Sequence, residues 1–473
     1  PRSTVRINNL IMSQDENTLI LGIGGVGMHL AQRLVHEGYP VTVIESDPDL
    51  LGKAAEELDA RLICGNAMQL SSWREAHAEN MELMIATTND DSTNMLASLI
   101  ADRFGIERKI VRARSIDLVD GSILSQDDLK IDLIVHPEEL VAQEIFRLVQ
   151  RASCNDLTPV GDGNMRVLAM RINEDSPLLF KTPKELSATH AEYNFRVVAI
   201  ARGISTIIPQ ADEKIRPSDQ VFIMARTEDM MPLMDMMKIE HKNIEYMMIL
   251  GGGLVGRRVA QLLEKEVEIK LIENNPERAE ELASELKNTE VIHGDGTDAN
   301  LLVMSGLDST ESFIATTGDN ETNIISCLLA KHLMNRNNRD QRGGQGKTIA
   351  LVNKEDYLVL ASTIGLDIAL NAKISAANEI LKFVRRNELL SVAHLHGVDA
   401  EVVELIASPK SEIIRKPIKK LANYFRQHNI LIGGVEQDGV WKVAVGTTEI
   451  KPHNRVVAVC SSQNLKKIRQ LFH

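Results

Sequence analysis

"LILGIGGVGMHLAQRLVHEGYPVTVIESDP", residues 19–48, is the stretch on which the fold turns. An apolar run breaks into glycines, a stretch with helical spacing follows, and a second apolar run ends in an acid. Gly22, Gly24 and Gly27 satisfy G-x-G-x-x-G directly after a strand and at the start of a helix. In that pattern the first glycine permits a tight turn, the second lets a diphosphate approach the backbone, and the third lets helix pack on strand. The helix N-terminus then meets the negative charge, and Gly25 and Val26 belong to the same turn. Glu45 follows Gly27 by 18 residues, at the end of an apolar run where an acid accepts hydrogen bonds from the ribose hydroxyls of an adenine nucleotide.

The chain repeats itself. "MILGGGLVGRRVAQLLEKEVEIKLIENNP", residues 248–276, carries Gly251, Gly253, Leu254, Val255 and Gly256, with Glu273 17 residues after the last glycine. Gly22 and Gly251, Cys64 and His293, and Ile85 and Ile314 are each 229 positions apart, a constant offset that marks duplication. Later anchors, Ala142 with Ala377 and Ile215 with Ile450, are 235 apart. The six extra residues are expected in "NRNNRDQRGGQGK", Asn335 to Lys347, which reads as a loop. Its "GGQGKT" resembles the end of a P-loop, but Gln341 stands where the first glycine belongs, and a polar loop precedes it instead of a strand.

Each half alternates short apolar runs (19–21, 41–44, 62–64, 83–87 and 110–113 in the first) with helical stretches, which is βαβ grammar. The expected fold is α/β: two tandem Rossmann-like parallel-sheet domains, each followed by a crossover helix and a small α+β C-terminal lobe with one helix. The expected segments are nucleotide-binding lobes at 17–135 and 245–370, crossover helices with their linkers at 136–154 and 371–389, and small lobes at 155–238 and 390–473. The crossover helices are expected to join the lobes.

Further segments fit the same pair of sites. Asn66 and Ala67 in "GNA", and Asp295 and Gly296 in "GDG", follow a third apolar run, where a polar side chain meets the adenine amino group. Thr87, Thr88 and Asp90, like Thr316, Thr317 and Asp319, end the fourth strand on the crevice side of the sheet, where they either contact ligand or cap the next helix. Arg112 and Arg114 end a fifth strand within reach of a phosphate. Either glutamate would repel a 2′-phosphate, and no arginine follows in "ESDP" or "ENNP", so NAD(H) or ATP/ADP is preferred over NADP. The ionised Asp295 against the amide carbonyl of Asn66 predicts unequal sites, with NAD(H) favoured at the second and ATP/ADP at the first.

The chain has 473 residues, 44% hydrophobic and 25% charged, enough for several cores. A net charge of −13 speaks against nucleic acid as the primary partner. Four scattered cysteines, without C-x-x-C or His at metal spacing, fit a reducing compartment and no metal site. No apolar stretch approaches bilayer length and no signal-peptide pattern is present. "PRSTVRINNLI", before Met12, reads as a vector remnant or the end of something longer. His136 and His293 are the most tempting catalytic histidines. The expectation is a structural role for each and no catalytic residue, because no partner for a general base accompanies them.

Two in-register sets of GxGxxG, acid, "G(D/N)" and "IATTNDDSTN" or "IATTGDNETN", each with a crossover helix and a small lobe, resemble the potassium-conductance regulatory (RCK, or KTN) domains in tandem. The resemblance covers Thr18 to the C-terminus. It implies a non-enzymatic cytoplasmic regulator at the inner face of the cell membrane. Such chains assemble into a homo-oligomeric ring beneath an integral-membrane potassium transporter or channel and respond to NAD(H) or ATP/ADP. It also implies that Arg112 or Arg114 contacts a nucleotide bound in a neighbouring unit; "LVNKEDY" offers Asn353 and Lys354 in the second half instead. Asn66 departs from the aspartate usual in the family. Two other readings are the soluble part of a potassium channel polypeptide and an NAD-dependent oxidoreductase. The latter would be expected to pair one cofactor domain with a distinct substrate domain.

Overall fold

The computed structural model describes residues 17–114, 125–149, 156–190, 193–203, 205–237, 239, 244–337, 346–385, 391–395 and 398–472. The stretch before Met12, Cys154 and most of the polar segment after Asn337 lie outside the described residues. The chain divides into two compact units: Pro1–His136 with Ala376–Glu388, and Pro137–Ser375 with Leu389–His473.

The first unit runs β1 (Thr18–Leu21), α1 (Gly25–Glu37), β2 (Val41–Glu45), α2 (Pro48–Glu57), β3 (Arg61–Cys64), α3 (Leu70–Glu75), β4 (Leu83–Ala86), α4 (Asp91–Phe104), β5 (Arg108–Arg112) and β6 (Leu133–Val135). Its six strands lie in the order β3-β2-β1-β4-β5-β6, all pairings parallel. Every residue of β1 and β4 is buried, as a central strand covered on both faces requires. The last strand, β6, was not legible in the sequence, being only three residues long. Asp47 and Asp90 cap α2 and α4 through their carboxylates, which fixes where those helices begin.

The second unit opens with α5 (Pro137–Val149), followed by the first small lobe: β7 (Asp156–Val160), β8 (Met165–Arg171), α6 (Pro183–Thr189), β9 (Phe195–Arg202), β10 (Ser205–Ile207), β11 (Gln220–Arg226) and α7 (Met230–Met236). The second parallel domain comprises β12 (Tyr246–Leu250), α8 (Leu254–Leu263), β13 (Glu268–Glu273), α9 (Pro276–Glu285), β14 (Thr289–His293), α10 (Ala299–Met304), β15 (Ser312–Ala315), α11 (Asn320–Asn337), β16 (Lys347–Leu351), α12 (Glu355–Ile364), β17 (Ile368–Leu370) and α13 (Ala372–Val384). The last lobe holds β18 (Ser391–His394), β19 (Glu401–Ile406), α14 (Ala422–Gln427), β20 (Ile430–Gln437), β21 (Val440–Val443), β22 (Arg455–Cys460) and α15 (Leu465–Phe472). The order β14-β13-β12-β15-β16-β17 repeats the first sheet strand for strand, and the lobes carry antiparallel sheets β10-β9-β11-β8-β7 and β18-β19-β22-β20-β21. Among the described residues each lobe has two helices rather than the expected one, all of eight residues or fewer and so too short for a periodicity count.

Two expectations change. The loop expected at 335–347 is shorter: Asn335, Arg336 and Asn337 finish α11, and Lys347 opens β16. Lys347 is therefore a buried strand residue, not a phosphate-binding lysine. The crossover helices do more than join lobes. The apolar face of α5 (Val141, Ala142, Ile145, Leu148) shares a core with Val255, Val259 and Leu263 of α8, in the second Rossmann-like domain. Residues from Ala376 onward, in α13, fold with the first.

Polar clamps repeat in both units. Glu139 of α5 grips Arg258 of α8 bidentately at 2.6 and 3.0 Å. In the first unit Glu37, the last residue of α1, pairs with Arg385, whose side chain is 2% exposed. Arg108 reaches the Val384 carbonyl at 3.5 Å and Lys347 the Leu148 carbonyl at 2.9 Å. The residue that opens strand five of each sheet thus caps a crossover helix, where cations oppose the dipole.

Candidate nucleotide-binding site

The three glycines of each fingerprint serve three different constraints. Gly22 and Gly251 turn with φ of 88° and 94°, a region closed to most side chains, and a Cβ on either would press on the backbone of Thr88 or Thr317. At Gly27 and Gly256 a Cβ would lie 2.0 Å from the carbonyl oxygen of Gly22 or Gly251. Gly24 is the opposite case: a Cβ there meets nothing within 4 Å, and at Gly253 only the Thr316 oxygen at 4.0 Å. This open space lies at the N-cap of α1 and of α8, where no side chain satisfies the first helical N–H groups. Val26 and Val255 turn their side chains into the core, so each contributes only backbone to this space, whereas the Leu254 side chain is exposed.

Around Gly24 lies a cleft of about 460 Å³ lined by Gly22, Ile44, Glu45, Asn66, Ala67, Thr87, Thr88, Asn89 and Asp90, among others. It opens at the C-terminal ends of β1 and β4, where the strand order reverses, which is where ligands bind in open α/β sheets. Its volume is within the range of small-molecule sites.

Glu45 binds the glycine loop to the turn after β2. Its Oε2 accepts from Ile23 N at 2.8 Å, and its Oε1 from Ser46 N at 2.7 Å and Asp47 N at 2.9 Å. Glu273 accepts from Gly252 N at 2.8 Å and Asn275 N at 2.9 Å, one bond to each oxygen. A carboxylate has about four acceptor positions. Glu273 therefore keeps acceptor capacity on both oxygens, whereas Glu45 keeps it mainly on Oε2. The packing beneath is complementary: a Cβ on Gly252 would meet Leu282 Cδ1 at 2.2 Å, while the first half has Ile23 and Ala54 at these two positions.

Thr87 lines the cleft, yet its hydroxyl is bound to the carbonyls of Leu21 and Gly22 at 3.2 and 3.0 Å, and Thr316 does the same with Leu250 and Gly251. These two threonines clamp the glycine turn. Asp90 and Asp319 cap α4 and α11, and hydrogen bonds from Thr93 and Thr322 hold their carboxyls below the usual aspartate value. Thr88 and Thr317 are tied to a residue that sequence reasoning missed. Asn94, fully buried, accepts from Thr88 N and Oγ1 at 3.0 and 2.6 Å and donates to the carbonyls of Thr88 and Arg112, both at 3.0 Å. Asn323 makes the same four bonds to Thr317 and Leu351. The signal was present, since this asparagine ends the repeated "IATTNDDSTN" and "IATTGDNETN", but the motif does not say that it staples strand four to strand five.

Arg112 and Arg114 are brought together over Asn89, a cleft residue, each 3.4 Å from its Oδ1. In the second half Lys354 lies over the Tyr357 ring at 5.1 Å, and Asn353 N donates to Asn320 at 2.6 Å. Asn66 and Asp295 are exposed at the turn after strand three. The amide carbonyl that the sequence reading offered to adenine is in fact engaged by Met68 N, at 2.8 Å. The Ala67 carbonyl holds Trp73, and a Cβ on Gly296 would strike Leu250. His136 and His293 each meet a backbone carbonyl, of Ala113 at 2.9 Å and Asn274 at 3.2 Å.

The domain described as TrkA-N matches residues 18–137 and again 247–372, together more than half the chain, and the TrkA-C domain matches 167–238. The chain belongs to the TrkA family. It is 31% identical over 392 residues to the Trk system potassium uptake protein TrkA of Vibrio alginolyticus, covering 82% of this chain and 83% of that one. The TrkA of Halomonas elongata is 28% identical over 457 residues, 96% of this chain and 98% of its own. Among solved structures, a GsuK channel bound to NAD superposes with a TM-score of 0.59 at 17% identity, covering 97% of this chain and 79% of that one. The GsuK RCK domain gives the same score, with 95% of that chain covered. The tandem RCK resemblance and the fold read from the repeats are thereby shown for this TrkA-family chain.

Proposed function

We propose that this chain is a cytoplasmic regulatory subunit of a membrane potassium uptake system, which senses adenine nucleotide at two sites and does no chemistry on it. The observation that carries the reading is the repeated cradle: in both halves an open N-cap glycine stands beside a glutamate already bound to the glycine loop. The relatives are named for potassium uptake, and the GsuK channel of the same fold binds NAD.

In this reading the nucleotide lobes are 17–135 and 245–370. The backbones of Gly24, Gly25, Val26 and Gly27, and of Gly253, Leu254, Val255 and Gly256, hold the diphosphate at a helix N-terminus. Glu45 and Glu273 take the ribose hydroxyls, and Asn66 and Asp295 face the base. Arg112 and Arg114 supply positive charge at the first site only, which favours ATP/ADP there and NAD(H) at the second. The nicotinamide cofactor supplies hydride chemistry where a substrate is bound; here the place of a substrate domain is taken by a second copy of the nucleotide fold. Several chains close a ring at the inner membrane face, as symmetric oligomers do, and nucleotide exchange alters the transporter above it.

The test is potassium flux into vesicles carrying a Trk-type transporter, with this chain added and NADH or ATP/ADP varied. Flux that changes with nucleotide, and ceases to do so in Gly24→Asp or Gly253→Asp, supports the reading. Flux indifferent to the chain and to nucleotide overturns it.

A further inference from the structure

The two cradles differ most at the residue that follows the open N-cap glycine. In the first it is Gly25 and in the second Leu254, equivalent positions 229 residues apart, each the first residue of its helix. Val26 and Val255, one residue on, are buried, but the Leu254 side chain is 56% exposed. A leucine so exposed is ordinary on a protein surface; here it stands beside the helical N–H groups that receive a diphosphate. The cations near it are committed elsewhere. Arg257 binds Glu285 at 2.8 Å, Arg258 binds Glu139 at 2.6 Å, and Lys354, after strand five, lies over the Tyr357 ring at 5.1 Å. The first site has the converse arrangement, with no side chain at Gly25 and with Arg112 and Arg114 both reaching Asn89, which lines the cleft.

Strand order decides what passes this position. Glu273 ends β13 and Asp295 follows β14, on one side of β12; β15 and β16 lie on the other. A nucleotide whose ribose meets Glu273 and whose diphosphate meets the N-terminus of α8 therefore sends whatever lies beyond its second phosphate past Leu254, toward β15. For ADP or ATP that end is a terminal phosphate close to doubly charged, which loses water against an apolar side chain and gains no partner. For NAD(H) it is a second nucleoside, whose sugar and ring cover the leucine. We propose that this one position sets the length of ligand each site takes: Leu254 selects a dinucleotide at the second site, and Gly25 leaves the first open to the terminal phosphates of a mononucleotide. The inference rests on the nucleotide reading of the sites and deepens it, keeping adenine at both and assigning the difference to a single side chain.

The experiment titrates the full chain with NADH and ADP calorimetrically, one site disabled at a time. In Gly24→Asp, which leaves the second site, NADH is expected to bind more tightly than ADP. Adding Leu254→Ala should lower that ratio roughly fivefold, the worth of covering about half a leucine side chain, while alanine keeps the helix start. In Gly253→Asp, which leaves the first site, adding Gly25→Leu should raise the ratio of NADH to ADP affinity by a similar factor. The fold admits that change, since α8 carries leucine at this place in the same motif. A ratio that moves by less than about twofold in either chain, with both nucleotides still bound, overturns the role of this position and leaves the nucleotide reading intact. Failure of both nucleotides to bind in the Gly24→Asp or the Gly253→Asp chain overturns the reading of the remaining cradle, and the inference with it.

Discussion

Asn94→Ala removes a side chain that is fully buried and makes four hydrogen bonds, none of them to solvent. The Thr88 N–H then loses its side-chain acceptor and the carbonyls of Thr88 and Arg112 lose one donor each, that of Thr88 keeping Arg112 Nη1 at 3.5 Å, while the Thr88 hydroxyl can still turn to the Asp90 carbonyl at 3.2 Å. Four part-buried hydrogen bonds at about 0.5–1.5 kcal/mol each give a loss of about 2–6 kcal/mol. The molecule offers a clean probe. Trp73 is buried in the first unit and Trp441 in the second, and the chain has only these two tryptophans. Urea unfolding followed by Trp73 fluorescence in a Trp441→Phe background therefore reports the first unit. The Asn94→Ala transition should move to lower urea, and first-site nucleotide affinity should fall, because Thr88 to Asp90 line the cleft. A shift worth less than about 1 kcal/mol, with affinity unchanged, would show that this asparagine does not staple the strands.

Other consequences are equally direct. Arg385→Leu strands the Glu37 carboxylate in the core and should cost the first unit about 3–5 kcal/mol, whereas the double change Glu37→Leu/Arg385→Leu should recover most of it; equal losses in the same urea assay would argue against a buried pair. Glu45→Ala or Glu273→Ala should weaken adenine nucleotide binding by roughly 1–3 kcal/mol and raise NADP relative to NAD in calorimetric titrations, and an unchanged preference would place the glutamates away from the ribose. Hydrogen bonds from Thr93, Thr297 and Thr322 hold Asp90, Asp295 and Asp319 below the ordinary 3.8, so their stabilisation is complete above that value and is lost only as pH falls below it. Carboxyl resonances that titrate above 3.8 would contradict those contacts. Among the described cysteines, Cys64 is exposed and should alkylate in the native protein; Cys327, buried and with its thiol pKa pushed up by desolvation, should react only after unfolding.

The duplicated fold was legible because its determinants are local: continuous apolar strands, glycines after strand one, an acid after strand two, all recurring at one offset. What the sequence hid depends on contacts distant along the chain. Nothing in "KISAANEILKFV" says that from Ala376 onward it folds with the first unit, because its apolar spacing fits any partner face. Thr87 and Thr88 look alike as crevice residues; only the fold shows one clamping the glycine turn and the other held by Asn94. Asn66 stands where the second half has Asp295, and only the fold shows that its amide oxygen meets Met68 N two residues on.

The central claim, two phosphate cradles in one chain, is tested most directly by the stoichiometry of ADP and NADH binding measured calorimetrically on the wild type, Gly24→Asp, Gly253→Asp and the double variant. A Cβ at Gly24 meets nothing and at Gly253 only one oxygen at 4.0 Å, so each variant keeps its fold while placing a carboxylate where the diphosphate belongs. The account predicts two sites per chain in the wild type, one in each single variant and none in the double. Nucleotide bound in undiminished amount by the double variant would contradict it.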